Sequence, residues 1–304
     1  MRYSGTDYGL RAGDYAATVT EFGARLRTLT WRGRDLVVPF GAEELPPFSR
    51  GAVLAPWPNR IAGGRYRFGG TDYQLPITEV ATGAASHGLA AWEAWRPHAW
   101  TGDEVALDFR IWPRPGYPFL VDLRIWYALA EDGLTITLAA SNDGDRVAPY
   151  GCGIHPYLMA GDGPVDDWTL WLPAATMLEV DPVTKSPVRG VGVEEAEGRP
   201  DFRAGARIGG RRIDNAFGGL DRAPDGICGA RVLRGEGQGV ELTWDGSCAW
   251  VQVFTSDFAD PAASRTGLAI EPTTCPPNAF ATGTDLISLE PGQTARTTWR
   301  IGAI

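Results

Sequence analysis

The chain has 304 residues, 44% of them hydrophobic and 21% charged, which excludes a disordered polymer and predicts a substantial buried core. Its net charge of −9 excludes nucleic acid and anionic membrane as main partners, because both need a basic stripe. Residues 1–7 contain no apolar signal segment, and no run approaches the ~18 apolar residues of a membrane span, so a soluble cytoplasmic protein is expected.

Period-two alternation dominates the chain. Residues 65–68, the Gly69-Gly70 pair and then Tyr73 and Leu75 predict a first hairpin. Val105, Leu107, Phe109 and Ile111 alternate with Ala106, Asp108 and Arg110. Val121, Leu123, Ile125, Tyr127 and Leu129 alternate with Asp122, Arg124, Trp126 and Ala128. Glu131-Asp132-Gly133 then turns the chain, and Leu134, Ile136, Leu138 and Ala140 follow, so a long antiparallel hairpin is predicted here. The Pro/Gly/Asp-rich stretches 182–203 and 221–229 read as loops with turns. Val240, Leu242 and Trp244, the turn Asp245-Gly246, then Trp250, Gln252 and Phe254 predict a third hairpin. Residues 297–301 predict a last strand. No segment of a dozen residues carries a helical stripe. Many short strands punctuated by Gly and Pro mean an all-β sandwich or barrel. Neither loop stretch has the length or bias of a linker, so the expectation is one large antiparallel β-sandwich domain over residues 1–304.

Residue usage narrows the chemistry. Lys185 is the only lysine, which leaves Schiff-base catalysis a single candidate. Cys152, Cys228, Cys248 and Cys275 lack C-x-x-C spacing, and the three histidines lack H-x-H or H-E-x-x-H spacing, so no zinc site is expected. Buried free thiols in a reducing compartment are the default, with a Cys152–Cys275 disulfide left open. Twelve tryptophans and nine tyrosines are many for this length. Beyond the core, such rings can floor a sugar site, because an aromatic face packs on the C–H face of a pyranose.

Five positions stand out, each in a segment that reads as a turn between strands. Glu271 opens the run Glu271-Pro272-Thr273-Thr274-Cys275-Pro276-Pro277-Asn278-Ala279-Phe280, too rich in proline for a helix interior or a central strand. His155 lies in Gly151-Cys152-Gly153-Ile154-His155-Pro156-Tyr157. A fixed carboxylate and an imidazole with an ordinary pKa near 6.5 make a base and an acid for proton transfer. Arg60 follows Pro56-Trp57-Pro58-Asn59 and offers a forked donor set for hydroxyls or a carboxylate. His87 precedes Gly88 in a small-residue stretch that suggests close backbone approach. Asp214 opens Asp214-Asn215-Ala216-Phe217. Plainer alternatives exist for each. Arg60 could tie a loop to carbonyls, His87 could be a turn residue and Asp214 could pair with Arg211 or Arg212. Glu271 could be the N-terminal acidic residue of a turn, and His155 could pack under a loop. His98 reads as surface or packing.

In their order along the chain, these segments resemble the aldose 1-epimerase family, the galactose mutarotase-like proteins. The matching elements are Asn59-Arg60-Ile61 with its glycine pair, His87-Gly88, His155-Pro156-Tyr157, Asp214-Asn215-Ala216-Phe217, Glu271-Pro272-Thr273-Thr274 running to Asn278-Ala279-Phe280, and Leu289-Glu290-Pro291-Gly292-Gln293. The resemblance runs from about Thr20 to the end. It implies a large β-sandwich with a sugar groove and a small-molecule sugar as the partner, with no metal or organic cofactor. It also implies Glu271 as general base, His155 as general acid, and Arg60, His87 and Asp214 as substrate-binding residues. A glycosidase would instead need two carboxylates flanking the bond.

Two departures bear on substrate. Ile154 precedes His155 and Pro156-Tyr157-Leu158 follow it, where many members have Asn before and Phe-Asn-Leu after, which points away from the galactose-handling branch. Relatives acting on hexose 6-phosphates carry an arginine four residues after the His of His-Gly, and here that residue is Ala91. The branch most resembled is a bacterial one for which sulfonated hexoses are candidate substrates. The expectation is therefore an aldose 1-epimerase acting on a hexose. The alternatives are an epimerase for an anionic hexose and a non-catalytic carbohydrate-binding β-sandwich.

Overall fold

The alternating stretches build the largest sheet of the computed structural model, which describes residues 3–198, 200–235 and 237–304. Met1 and Arg2 of the N-terminal run, and Arg199 of the 182–203 stretch, lie outside the described residues. In Val121–Ala130 the predicted apolar positions are all buried, and the polar positions between them are half-exposed. This strand pairs with Gly133–Asn142 from Ala130↔Gly133 to Val121↔Asn142. The turn closes on Gly133, whose φ is +135°; a Cβ there would lie 2.4 Å from the Ile301 carbonyl oxygen. The sheet runs in the order Arg96–Trp100, Glu104–Ile111, Val121–Ala130, Gly133–Asn142, Thr294–Ala303, Gln238–Trp244, Cys228–Arg234, Thr169–Trp171 and Ala206–Arg207. The predicted last strand is present and extends over Thr294–Ala303.

A second sheet, of eight strands, runs Pro187–Gly192, Ala174–Val180, Asp214–Leu220, Trp250–Phe254, Leu268–Thr273, Gly153–His155 and Ala52–Leu54; Tyr157–Leu158 also pairs with Leu268–Thr273. One cluster of buried side chains joins the two sheets, including Ile125, Leu138, Val251, Val253, Ile270 and Trp299. Trp299 of the nine-stranded sheet donates its indole N–H to the Pro272 carbonyl of the eight-stranded one, at 3.2 Å. The fold is nearly all β, in antiparallel sheets, as the sequence led us to expect. Among the described residues the longest helix is Ala279–Thr282, and no helix is long and apolar enough to cross a membrane.

Three expectations need correction. The predicted 240–254 hairpin does not form: Gln238–Trp244 belongs to the first sheet and Trp250–Phe254 to the second. The intervening Asp245 builds a corner instead. Its Oδ1 accepts from the Ser247 backbone N–H at 2.9 Å, and its Oδ2 accepts from the Thr298 N–H at 2.8 Å. These bonds pin the turn to the first sheet while the chain leaves for the second. The 182–203 stretch contains a strand, Pro187–Gly192, paired with Ala174–Val180. Finally, Glu271 and Pro272 lie inside the strand Leu268–Thr273, despite the proline. Proline is tolerated because the ladder to the neighbouring chain is interrupted there. Gly153 pairs with Thr273 and Tyr157 with Ala269, and between them only a long 3.4 Å bond from the Ile270 N–H to the Pro156 carbonyl joins the two segments.

Candidate active site

Register alone brings the acid and base candidates together. The pairs Gly153↔Thr273 and Tyr157↔Ala269 share one register, which sets His155 opposite Glu271. On its other side Glu271 faces Gln252. Side chains alternate along a strand, so Val251, Val253 and Ile270 go to the core while Gln252, Glu271 and His155 share the opposite face. His155 Nε2 lies 3.3 Å from Glu271 Oε1.

All five residues singled out in the sequence line one pocket of about 480 Å³: Arg60, His87, His155, Asp214 and Glu271. Contrary to expectation, Arg60, His155, Asp214 and Glu271 sit on strands rather than turns. Arg60 starts Arg60–Ala62, which pairs with Ala84–Ser86 and so carries His87 beside it. The His87 backbone N–H donates to the Asn59 carbonyl at 2.8 Å. His87 and Gly88 both have positive φ, and a Cβ on Gly88 would lie 2.1 Å from the Ala55 oxygen. That is the close approach the sequence suggested. The His87 ring meets His155 edge-on at 5.3 Å.

The other candidates have defined partners too. Arg60 Nε lies 3.0 Å and 3.1 Å from the two Glu79 oxygens. Asp214 is not paired with Arg211 or Arg212; it accepts from Gln252 Nε2 at 2.8 Å and lies 3.9 Å from Lys185 Nζ. His98 sits apart from the pocket, 3.3 Å from Asp108. The four cysteines are buried and free.

Burial dominates the electrostatics. It pushes the Glu271 carboxyl well above its ordinary range; Asp214 adds to the rise and Arg60 opposes it. Burial also pushes His155 well below its ordinary value, helped by the charges of Arg25 and Arg60. His87 falls to about 3, again mainly by burial, and so stays neutral. Several buried polar atoms lack a hydrogen-bond partner among the described residues: Glu271 Oε2, His155 Nδ1, His87 Nδ1 and Gln252 Oε1. Polar groups left unpaired in a dry setting are costly, and a polyhydroxylated ligand could satisfy them.

Sequence reasoning missed five contributors. Gln252 was read only as a strand residue, although a polar side chain amid apolar neighbours was an available signal. Glu79 gave none. Phe48 and Phe258 stack at 3.6 Å and line the pocket together. Arg25 gave no signal either. It is fully buried behind Trp92, with its guanidinium 4.7 Å from that ring. Its Nη1 donates to the Arg50 carbonyl and its Nη2 to the Ala91 carbonyl, and Nε has no partner among the described residues. Thus a guanidinium from distant sequence reaches the Ala91 backbone. Burial lowers its pKa to about 10, which still leaves it charged at neutral pH.

The family model described as Aldose 1-epimerase matches residues 7–302. An uncharacterized protein of Escherichia coli K12, YihR, is 39% identical over 297 residues, covering 97% of this chain and 92% of that protein. The galactose mutarotase of Mus musculus is 26% identical over 190 residues, covering 57% of this chain and 54% of the mouse protein. The solved structure of an aldose epimerase homologue from C. elegans superposes with a TM-score of 0.86 at 21% identity, over 98% of each chain, a likeness of fold.

Proposed function

The chain belongs to the aldose 1-epimerase family, and from that premise we propose that it interconverts the α and β anomers of a hexose in the cytoplasm by acid/base ring opening and reclosure. The observation that carries this reading is the 3.3 Å contact between His155 Nε2 and Glu271 Oε1 at the base of the pocket. The two reacting oxygens of a hemiacetal, O1 and the ring oxygen, share one carbon. An acid and a base that serve them must be close neighbours, as this pair is.

Glu271 takes the proton of the C1 hydroxyl. The bond from C1 to the ring oxygen breaks, and that oxygen takes the proton of His155 Nε2. Rotation about C1–C2 presents the other carbonyl face. On closure Glu271 returns its proton to O1 and His155 recovers its own from the ring-oxygen hydroxyl. Opening converts a carboxylate and an imidazolium into two neutral groups. The shifts on both residues favour that neutral pair, so the dry site lowers the energy of the opened state. Sugar hydroxyls support the ionised pair before opening, and the Arg60 charge supports its carboxylate half. Arg60, His87 and Asp214 bind the hydroxyls, and Gln252 Oε1 offers one further acceptor. Each proton-transfer group contributes about 10²–10⁴-fold.

A second reading, an anionic hexose, is favoured by Arg25 and Arg50. Neither has a carboxylate within ion-pair distance among the described residues, and they stack on Trp92 and Tyr157 of the pocket wall. Exchange NMR on glucose, galactose and a 6-sulfonated glucose tests both. Faster exchange of any of them supports epimerase activity. A preference for the sulfonated sugar that fades with added salt selects the second reading. Sugar binding without any acceleration would instead leave a carbohydrate-binding module.

A further inference from the structure

A groove of about 680 Å³ crosses the outer face of the nine-stranded sheet, away from the active-site pocket. Its floor is one cross-strand row. Arg96 pairs with Asp108, Asp108 with Arg124, Arg124 with Ala139, and Ala139 with Arg296. In a chain of net charge −9, this groove collects Arg96, Arg110, Arg124 and Arg296 against Asp108 and Asp122. Ala139 lies on the outward side yet is only 6% exposed, flanked by Arg124 and Arg296 as its cross-strand partners. Those strands lie about 10 Å apart across Ala139. The guanidinium carbons of Arg124 and Arg296 come within 5.9 Å and 5.7 Å of the same Trp126 ring. Arg124 is held by Asp108 at 2.6 Å and 2.9 Å. Arg296 has no carboxylate within ion-pair distance among the described residues. In the adjoining row the Ser141 and Thr294 hydroxyls meet at 2.7 Å.

We propose that this groove is a second ligand site, and that it takes the phosphoryl group of a small phosphomonoester between Arg124 and Arg296 over Ala139. Two guanidiniums near one ring, only one of them paired with a carboxylate, repel each other, and a dianion relieves that repulsion. Guanidinium forks match phosphoryl oxygens, and the paired hydroxyls can turn a donor toward a third oxygen. The methyl floor of Ala139 leaves room that a longer side chain would fill. Stacking of a neutral sugar is disfavoured, because two guanidiniums already occupy the surroundings of the Trp126 ring.

The test follows backbone amide shifts of residues 137–141 and 294–298 by NMR as inorganic phosphate is added at low salt. Saturable shifts are expected in the wild type. They weaken at least about tenfold in Arg296→Ala, which loses one charged donor, and vanish in Ala139→Glu. Added salt weakens them. Glucose 6-phosphate reproduces them and glucose does not. Glu271→Gln leaves them unchanged, which separates this site from the active site. Absence of shifts overturns the proposal, and so do shifts that persist undiminished in Arg296→Ala. Shifts that follow protein concentration without phosphate also overturn it, in favour of a second copy of the chain on this face.

Discussion

In the nine-stranded sheet, Val121–Ala130 pairs with its neighbour at every one of its ten positions. In the eight-stranded sheet, the run of paired residues beside Leu268–Thr273 is broken where His155 faces Glu271. The first sheet turns its polar face to solvent and needs no cover. The second buries a polar face that includes Gln252, His155 and Glu271, with His87 and Asn59 over it. Regular pairing gives a scaffold; the irregular sheet, held against it by the shared core and by the bond from Trp299 to Pro272, holds groups in unfavourable surroundings. That division predicts that stability and chemistry are separable by sheet.

The largest effect is expected from the irregular sheet. His155→Gln should slow anomer exchange by about 10²–10⁴-fold while the thermal midpoint stays near the wild type, as read by exchange NMR and calorimetry. A large loss of stability instead would make His155 a structural residue. The counterpart in the regular sheet is Ile125→Ala, at a fully buried site. It should cost about 2–5 kcal/mol in denaturant unfolding and leave the rate per folded molecule unchanged.

The pH profile sharpens the same contrast. The proposed mechanism needs one proton shared by His155 and Glu271. A depressed imidazole takes a second proton only well below pH 6.5, and a raised carboxyl gives up the shared one only well above pH 4.5. Activity should therefore form a bell whose acid limb lies below the ordinary histidine range and whose alkaline limb lies above the ordinary carboxylate range, each falling about tenfold per pH unit. An acid limb at or above pH 6.5 would mean that the pocket is not dry. The smallest effect belongs to Glu79→Gln. Weakening the hold on Arg60 should raise KM about tenfold with little change in kcat, the signature of a residue that positions a binding group. An equal fall in kcat would place Glu79 in the chemistry itself.

The regular sheet was nearly legible in the sequence, because strict alternation at residues 105–111, 121–129 and 134–140 fixes which side faces the core. The site was legible in its residues but not in its framework. Arg60, His87, His155, Asp214 and Glu271 converge on one pocket, yet four of them lie on strands where turns were expected. Prolines at 156 and 272 hid the strands of His155 and Glu271, since local propensity carries no knowledge of an interrupted ladder. The corner at Asp245 misled for a related reason: Asp-Gly between apolar runs signals a tight hairpin, and only the bond to Thr298 reveals a crossing between sheets. Glu79 and Arg25 enter the site through tertiary contacts that no local pattern announces, whereas Gln252 offered one signal, a polar side chain amid apolar neighbours.

The most direct measurement is the α-to-β exchange rate of the preferred hexose with wild type and Glu271→Gln, alongside sugar binding by titration calorimetry. The account predicts binding retained and exchange slowed by about 10²–10⁴-fold, because the carboxamide keeps the shape and cannot take the C1 hydroxyl proton. Exchange at the wild-type rate in a folded, sugar-binding Glu271→Gln protein would contradict it.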